Sequence, residues 1–126
     1  MIQWLLDTNV VIWLSEDDPR AKKVLPLLSY TEAEFYISSV SWWEIAIKIR
    51  AGKLSAEYSE LRSLANKYNF LELPLTSSYL DVYMELPKLH KDPYDHMLLA
   101  QAITSPMRFI TGDKFLKKYS SLVMVI

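Results

Sequence analysis

Five short apolar runs punctuate the chain: Ile2–Leu6, Phe35–Ser39, Phe70–Leu73, Arg108–Thr111 and Leu122–Ile126. None alternates cleanly between polar and apolar residues, as expected of strands covered on both faces. Segments with helical spacing lie between them. Strands alternating with helices predict an α/β fold, with a parallel sheet, helices on both faces and right-handed crossovers.

The helix starts carry recognisable signals. Val10–Leu14 reads as helical after Asp7, which would then be its N-cap. Asp18-Pro19 opens another helix, with an acid at N-cap and proline at N1. Ser41 is a cap for the next, with Glu44 three residues later completing a capping box. Tyr58, Leu61, Leu64, Ala65 and Tyr68 give helical spacing between Ser55 and Asn69, and Leu80, Tyr83 and Met84 do so between Ser77 and Leu86. Asp92-Pro93 opens a helix that Pro106 ends, and a short helix follows Asp113.

In an open parallel sheet, ligands bind beyond the carboxyl ends of the strands. Asp7, Glu44, Asp95 and Asp113 all fall at strand ends or in the first turns of the following helices. At about 4 Å, each carboxylate pair would repel by roughly 4 kcal/mol at an effective dielectric of 20. Either some of these acids are protonated or a hard divalent cation holds them. The second option reads as a metal-dependent nuclease.

Each acid has a second explanation. Asp7 is a cap, although a cap is free to be a ligand as well. Glu44 and Lys48 are four residues apart with the acid first, the favourable order for an ion pair. The stretch from Trp42 to Ala51 is otherwise mostly apolar, so this helix should be largely buried. Glu44 then either pairs with Lys48 or points into the acidic site while Lys48 meets substrate phosphate. Asp92 is explained by capping, and Asp95 at N3 projects towards the strand ends, where helix start and cation both favour an ionised carboxylate. Gly112 permits a tight turn between Thr111 and Asp113. Glu16, Asp17 and Asp18 read as a solvated run with a cap, and His90 as a loop residue. His96 is either a base or a partly exposed, phosphate-facing residue. Trp42 and Trp43 are adjacent and cannot share one helix face, so one should pack inward while the other meets a second subunit.

Composition limits the alternatives. With 126 residues, 51% of them hydrophobic, two glycines and no low-complexity stretch, the chain reads as one domain over residues 1–126. A net charge of −1 argues against binding nucleic acid by bulk charge. The absence of cysteine removes thiolate metal sites and fits a reducing cytoplasm, and two histidines do not suggest a histidine-rich zinc site. The N-terminus lacks the pattern of a signal peptide, and no apolar stretch approaches the ~20 residues needed to span a membrane.

Taken in order, four segments resemble the PIN-domain family, in particular the VapC-type toxins of toxin–antitoxin pairs. They are Leu5-Leu6-Asp7-Thr8-Asn9; Ser39-Val-Ser-Trp-Trp-Glu44-Ile; Leu86 through Asp92-Pro-Tyr-Asp95-His to Gln101-Ala; and Thr111-Gly-Asp113. The resemblance implies a three-layer α/β/α sandwich with a five-stranded parallel sheet in the order 3-2-1-4-5. It also implies a Mg²⁺ or Mn²⁺ site and endoribonuclease activity on single strands. The partners implied are an RNA substrate and a cognate antitoxin encoded beside the toxin. The matching acids are Asp7, Glu44, Asp95 and Asp113. His96 departs from the arginine that many relatives carry.

On this reading RNA is hydrolysed by a metal-activated water, with Asp7 and Asp95 as metal ligands and Glu44 and Asp113 completing the acidic pocket. Thr8, Asn9, Ser39 and Thr111 would orient the acids, and Lys48, Arg50 and Lys114 would meet phosphate. The apolar helices suit a homodimer. Two rivals stand beside this reading. One is a phosphoacceptor receiver domain, although the single acid after the first strand and the third strand running into Pro74 fit it poorly. The other is a non-enzymatic binding module whose acids are only caps and ion pairs.

Overall fold

The five apolar runs form the five strands of one sheet. The computed structural model describes residues 1–88 and 91–126; His90 lies outside the described residues. The strands are β1 (Ile2–Leu6), β2 (Ala33–Ser38), β3 (Leu71–Leu73), β4 (Arg108–Thr111) and β5 (Val123–Val125). The helices are α1 (Thr8–Ser15), α2 (Leu25–Leu28), α3 (Ser39–Arg50), α4 (Tyr58–Lys67), α5 (Leu80–Glu85) and α6 (Pro93–Thr104). Tighter 3₁₀ turns occupy Pro19–Lys23, Ser77–Tyr79 and Lys114–Lys118.

All neighbouring strands pair in parallel, in the order β3-β2-β1-β4-β5. This is the order the resemblance implied. It differs from the 2-1-3-4-5 order of receiver-type sheets, so the receiver reading is set aside.

The missing polar alternation has a direct cause. Along β1, Trp4 and Leu6 join one core while Leu5 joins the other. Phe35, Ile37 and Ile110 share the first core with Val10 and Val11 of α1, Trp42 and Ile45 of α3 and Leu61 of α4. Phe109 and Val123 share the second with Leu98 and Leu99 of α6. Helices therefore cover both faces, giving the three-layer sandwich. Each fully buried leucine or phenylalanine contributes about 1.5–3 kcal/mol, and Leu5, Leu6, Leu98 and Phe109 are completely buried. Among the described residues no helix is long and apolar enough to cross a membrane.

Several boundaries move. Ser38, not Ser41, caps α3, its side chain accepting from the Val40 amide. The expected capping box between Ser41 and Glu44 is therefore absent, and Ser41 sits inside the helix with its hydroxyl accepting from Thr8 Oγ1 at 2.9 Å. The segments opened by Asp18-Pro19 and by Asp113 are 3₁₀ turns rather than α-helices. Gly112 does not adopt a left-handed backbone; among the glycines only Gly52 does. The bend at Gly112 therefore does not rest on a left-handed backbone.

Candidate active site

Strand β1 delivers Asp7 to the start of α1, where it is 4% exposed. Its Oδ1 accepts from the Thr8 amide at 2.7 Å and its Oδ2 from Thr111 Oγ1 at 2.6 Å. Asp7 is thus both cap and buried acid. Burial pushes its pKa up; the bonds from Thr111 and Thr8 oppose the rise, the charges of Glu44 and Asp92 add to it, and the net value is about 6.

Glu44 lies in the second turn of α3 and is 5% exposed. Its Oε2 meets Lys48 Nζ at 2.8 Å, while Oε1 is buried without a hydrogen-bond partner among the described residues. The expected ion pair with Lys48 is therefore present, and it leaves the second carboxylate oxygen of Glu44 uncommitted among the described residues. Burial would lower the Lys48 pKa, but the bond to Glu44 and the charges of Glu44, Asp92 and Asp95 raise it above its ordinary value. Lys48 is a counter-charge at the rim of the acids.

Asp95 stands one turn into α6, partly buried. Its pKa is raised to about 8, first by burial and then by the charges of Asp7, Asp92, Glu44 and Asp113. Asp95 is thus within electrostatic reach of the other three expected acids and of a further one, Asp92. Asp92 is the cap that the sequence suggested, its Oδ1 accepting from the amides of Tyr94 and Asp95. Its charge nevertheless acts on both Asp7 and Asp95. The Asp-Pro cap signal accounted for Asp92 locally and concealed that second role.

Asp113 follows β4. Its amide donates to Thr111 Oγ1 at 3.0 Å, and its Oδ1 accepts from the Phe115 amide at 2.9 Å. Thr111, fully buried, consequently links Asp113 to Asp7. Among the four groups expected to orient the acids, Thr8 and Thr111 do so. Ser39 instead accepts from the Leu75 amide, and Asn9 is exposed. Ser38 donates to Gln101 Oε1 at 2.5 Å, and so ties the start of α3 to α6.

Arg50 and Lys114 are exposed, whereas Lys48 is bonded within the cleft. His96 Nε2 is 3.0 Å from the Tyr119 hydroxyl, and its ring packs edgewise against Tyr83 and Tyr119. Its position answers to that aromatic cluster. Trp42 is buried and Trp43 is 60% exposed, its ring edge-on to Tyr94.

Among the described residues no three acid, cysteine or histidine side chains converge closely enough to hold an ion by direct ligation alone. The carboxylates feel one another at longer range, which is compatible with an ion that keeps several waters and uses one or two carboxylates. A cavity of about 640 Å³ lies elsewhere, at the opposite edge of the sheet beside Ile2, Trp4, Tyr30, Arg108 and Met124.

A family model described as "PIN domain" matches residues 4–122. No curated protein matches the chain significantly. Among solved structures, the chain is similar to VapBC2 from Rickettsia felis bound to a DNA fragment from its promoter. That match has a TM-score of 0.76 and 16% identity over 99% of this chain and 98% of that one. A toxin–antitoxin complex from Klebsiella pneumoniae matches with a TM-score of 0.69 and 20% identity, covering 96% of this chain and 95% of that one. FitAcB from Neisseria gonorrhoeae gives a TM-score of 0.66 and 19% identity, covering 96% of each. At these identities the structural likeness is one of fold.

Proposed function

The chain belongs to the PIN-domain family, and we propose that it is a metal-dependent endoribonuclease, the toxin of a type II toxin–antitoxin pair, with residues 1–126 as its single nuclease domain. The observation that carries this reading is the charge imbalance at the sheet edge. Asp7 and Asp95 are raised to about 6 and about 8, and burial and neighbouring carboxylates raise both. A buried Glu44 oxygen has no hydrogen-bond partner among the described residues. Acids crowded in this way around one lysine suit a hard divalent cation, and an all-oxygen donor set accepts Mg²⁺ or Mn²⁺. Asp7 and Asp95 would hold the ion, in part through water.

When bound, such an ion would supply charge neutralisation at the phosphate and make a water easier to deprotonate for attack on it. The protein's own groups have separate tasks. Thr8 and Thr111 fix both oxygens of Asp7, so this carboxylate meets its ligand in one orientation. The α6 N-terminus offsets part of the cost of an ionised Asp95. Glu44 Oε1 is available to accept a hydrogen bond from the attacking water, and Asp113 closes the pocket. Lys48 at the rim, with Arg50 and Lys114 farther out, offsets the repulsion between the acids and the RNA backbone.

The solved relatives are toxin–antitoxin complexes, some on DNA, which supports a cognate antitoxin as the protein partner. The exposed Trp43 beside Tyr94 supports a homodimer, and a cytoplasmic setting fits the lack of cysteine. The test is RNA cleavage by the purified protein with and without Mg²⁺ or Mn²⁺, repeated with Asp7→Asn and Asp95→Asn. Cleavage should require the ion and vanish in both variants while the fold is retained; full activity in either variant would sink the assignment.

A further inference from the structure

Trp13 is half-buried near the end of α1, the helix that Asp7 caps. The edge of its indole closes on the turn after β4. A Cβ placed on Gly112 would stand 2.2 Å from Trp13 Cη2 and 2.6 Å from Cζ3. Gly112 is therefore required for room, because any side chain there would collide with the ring.

The face of the same ring is covered by Arg20, whose guanidinium carbon lies 4.0 Å from the ring centroid. Arg20 is in turn held by Asp18 through Nε–Oδ1 at 3.0 Å and Nη2–Oδ2 at 2.7 Å. Asp18 is fastened back to the helix, its amide donating to the Trp13 carbonyl at 3.0 Å. The acidic run at the end of α1 thus includes a strap that keeps the indole in place. Exposed ion pairs and cation–π contacts are individually weak, but here they act on one rigid ring.

What that ring abuts is the link between two acids. Gly112 sits between Thr111, which donates to Asp7 Oδ2, and Asp113, whose amide donates to Thr111 Oγ1. A shift of the turn away from α1 would disturb both bonds. We infer that Trp13 is a positioning residue: its indole, held by the Asp18–Arg20 pair, braces the Thr111–Gly112–Asp113 turn against Asp7. The functional half of this inference rests on the reading of the acids as the nuclease site. A misplacement of about 1 Å at such a site can cost on the order of a hundredfold in rate.

The test compares Trp13→Leu, Trp13→Phe and Arg20→Met with the wild type in two measurements. Amide hydrogen exchange in the metal-free protein reads the brace without reference to activity. Cleavage kinetics with Mg²⁺ read its consequence. In Trp13→Leu, exchange at the amides of Asp7 and Asp113 should rise about tenfold while the amide of Leu61 in α4 is little changed. The kcat should fall by roughly tenfold with KM within about twofold. Trp13→Phe should recover most of the loss, and Arg20→Met should show a smaller effect of the same kind.

Unchanged exchange at Asp7 and Asp113 overturns the brace, as does an increase spread evenly over the molecule. Selective loosening with kcat unchanged overturns the positioning role. If Trp13→Leu does not fold, Arg20→Met carries the same two measurements, and wild-type exchange at Asp113 in that variant overturns the inference. If the wild type cleaves no RNA, the nuclease reading fails while exchange still decides whether the ring braces the turn.

Discussion

The two edges of the sheet are built from the same strands but hold opposite kinds of surface. At the carboxyl edge, Asp7, Glu44, Asp92 and Asp113 all act on Asp95, and Lys48 is paired with Glu44. At the amino edge, Ile2, Trp4, Tyr30 and Met124 surround an apolar cavity of about 640 Å³, and Arg108 lies over the Trp4 ring at 5.4 Å. Among the described residues, the amino edge has a hollow without a cluster of like charges. The carboxyl edge has the unfavourable electrostatics. Packing does not require five acids there, and a cavity large enough for a ligand is not by itself a reason to expect chemistry. The cost at the carboxyl edge is the better guide to function.

The contrast is tested most strongly by removing one charge from the crowded edge. Asp7→Asn and Asp95→Asn should each lower RNA cleavage by about a hundredfold or more, in line with the loss of a group that acts on the transition state. Asp95→Asn should also raise Tm in metal-free buffer at pH 8.5, because it removes a repelled, partly buried charge. Paired cleavage assays and melting curves check both. A parallel loss of activity and stability would mean that Asp95 serves the fold.

Gly112→Ala comes next. The added methyl group would overlap the Trp13 ring. Overpacking of this kind costs about 1–3 kcal/mol, measurable by chemical denaturation, and activity should fall with it. Combining it with Trp13→Leu should recover part of the stability, since the smaller side chain removes the collision.

These two sites also show what the sequence could and could not disclose. The strands were legible because residues buried on both faces leave continuous apolar runs, and the strands then place Asp7 and Asp113. Asp92 was legible as a cap because Asp-Pro is a local signal, but its action on Asp7 crosses the fold. Thr111 was a plausible neighbour of Asp113, whereas its bond to Asp7 joins residues 104 positions apart. Gly112 suggested a turn because a glycine's usual purpose is backbone freedom. Its actual partner, an indole on α1, leaves no mark near position 112. Ser41 and Glu44 matched a capping box by spacing, but β2 ends one residue before Ser39 and the cap falls on Ser38. Local patterns thus located the acids, while the contacts that hold them in place are long-range.

The pH dependence of stability sharpens the comparison further. The folded pKa values of Asp7 and Asp95 are about 6 and about 8, above their ordinary value of 3.8. Between those values the folded protein binds more protons than the unfolded chain, so raising the pH through this range removes stability. In metal-free buffer Tm should therefore fall between about pH 4 and pH 8 on account of these two groups. A divalent ion competes with the same protons. Mg²⁺ at about a hundred times its Kd should add close to 2.7 kcal/mol at pH 8.5, and markedly less at pH 5. Equal stabilisation at both pH values would separate the ion from Asp7 and Asp95.

The smallest effect is expected at the amino edge. Arg108 is exposed, and its guanidinium lies over the Trp4 ring at 5.4 Å. A cation–π contact at an exposed site is worth about 0.5–1 kcal/mol, so Arg108→Ala should lower stability by no more than about that amount. Its position at the start of β4 puts the length of the strand between it and Thr111. RNA cleavage should consequently stay within about twofold of the wild type, with the same metal requirement. Because the variant also removes a positive charge, it separates two ways of holding RNA. If the substrate is gripped by charge spread over the surface, losing one arginine should raise KM and flatten its dependence on salt. If it is gripped at the acidic edge through the ion and Lys48, KM and its salt dependence should be unchanged by Arg108→Ala. A tenfold loss of activity here would erase the distinction between the edges.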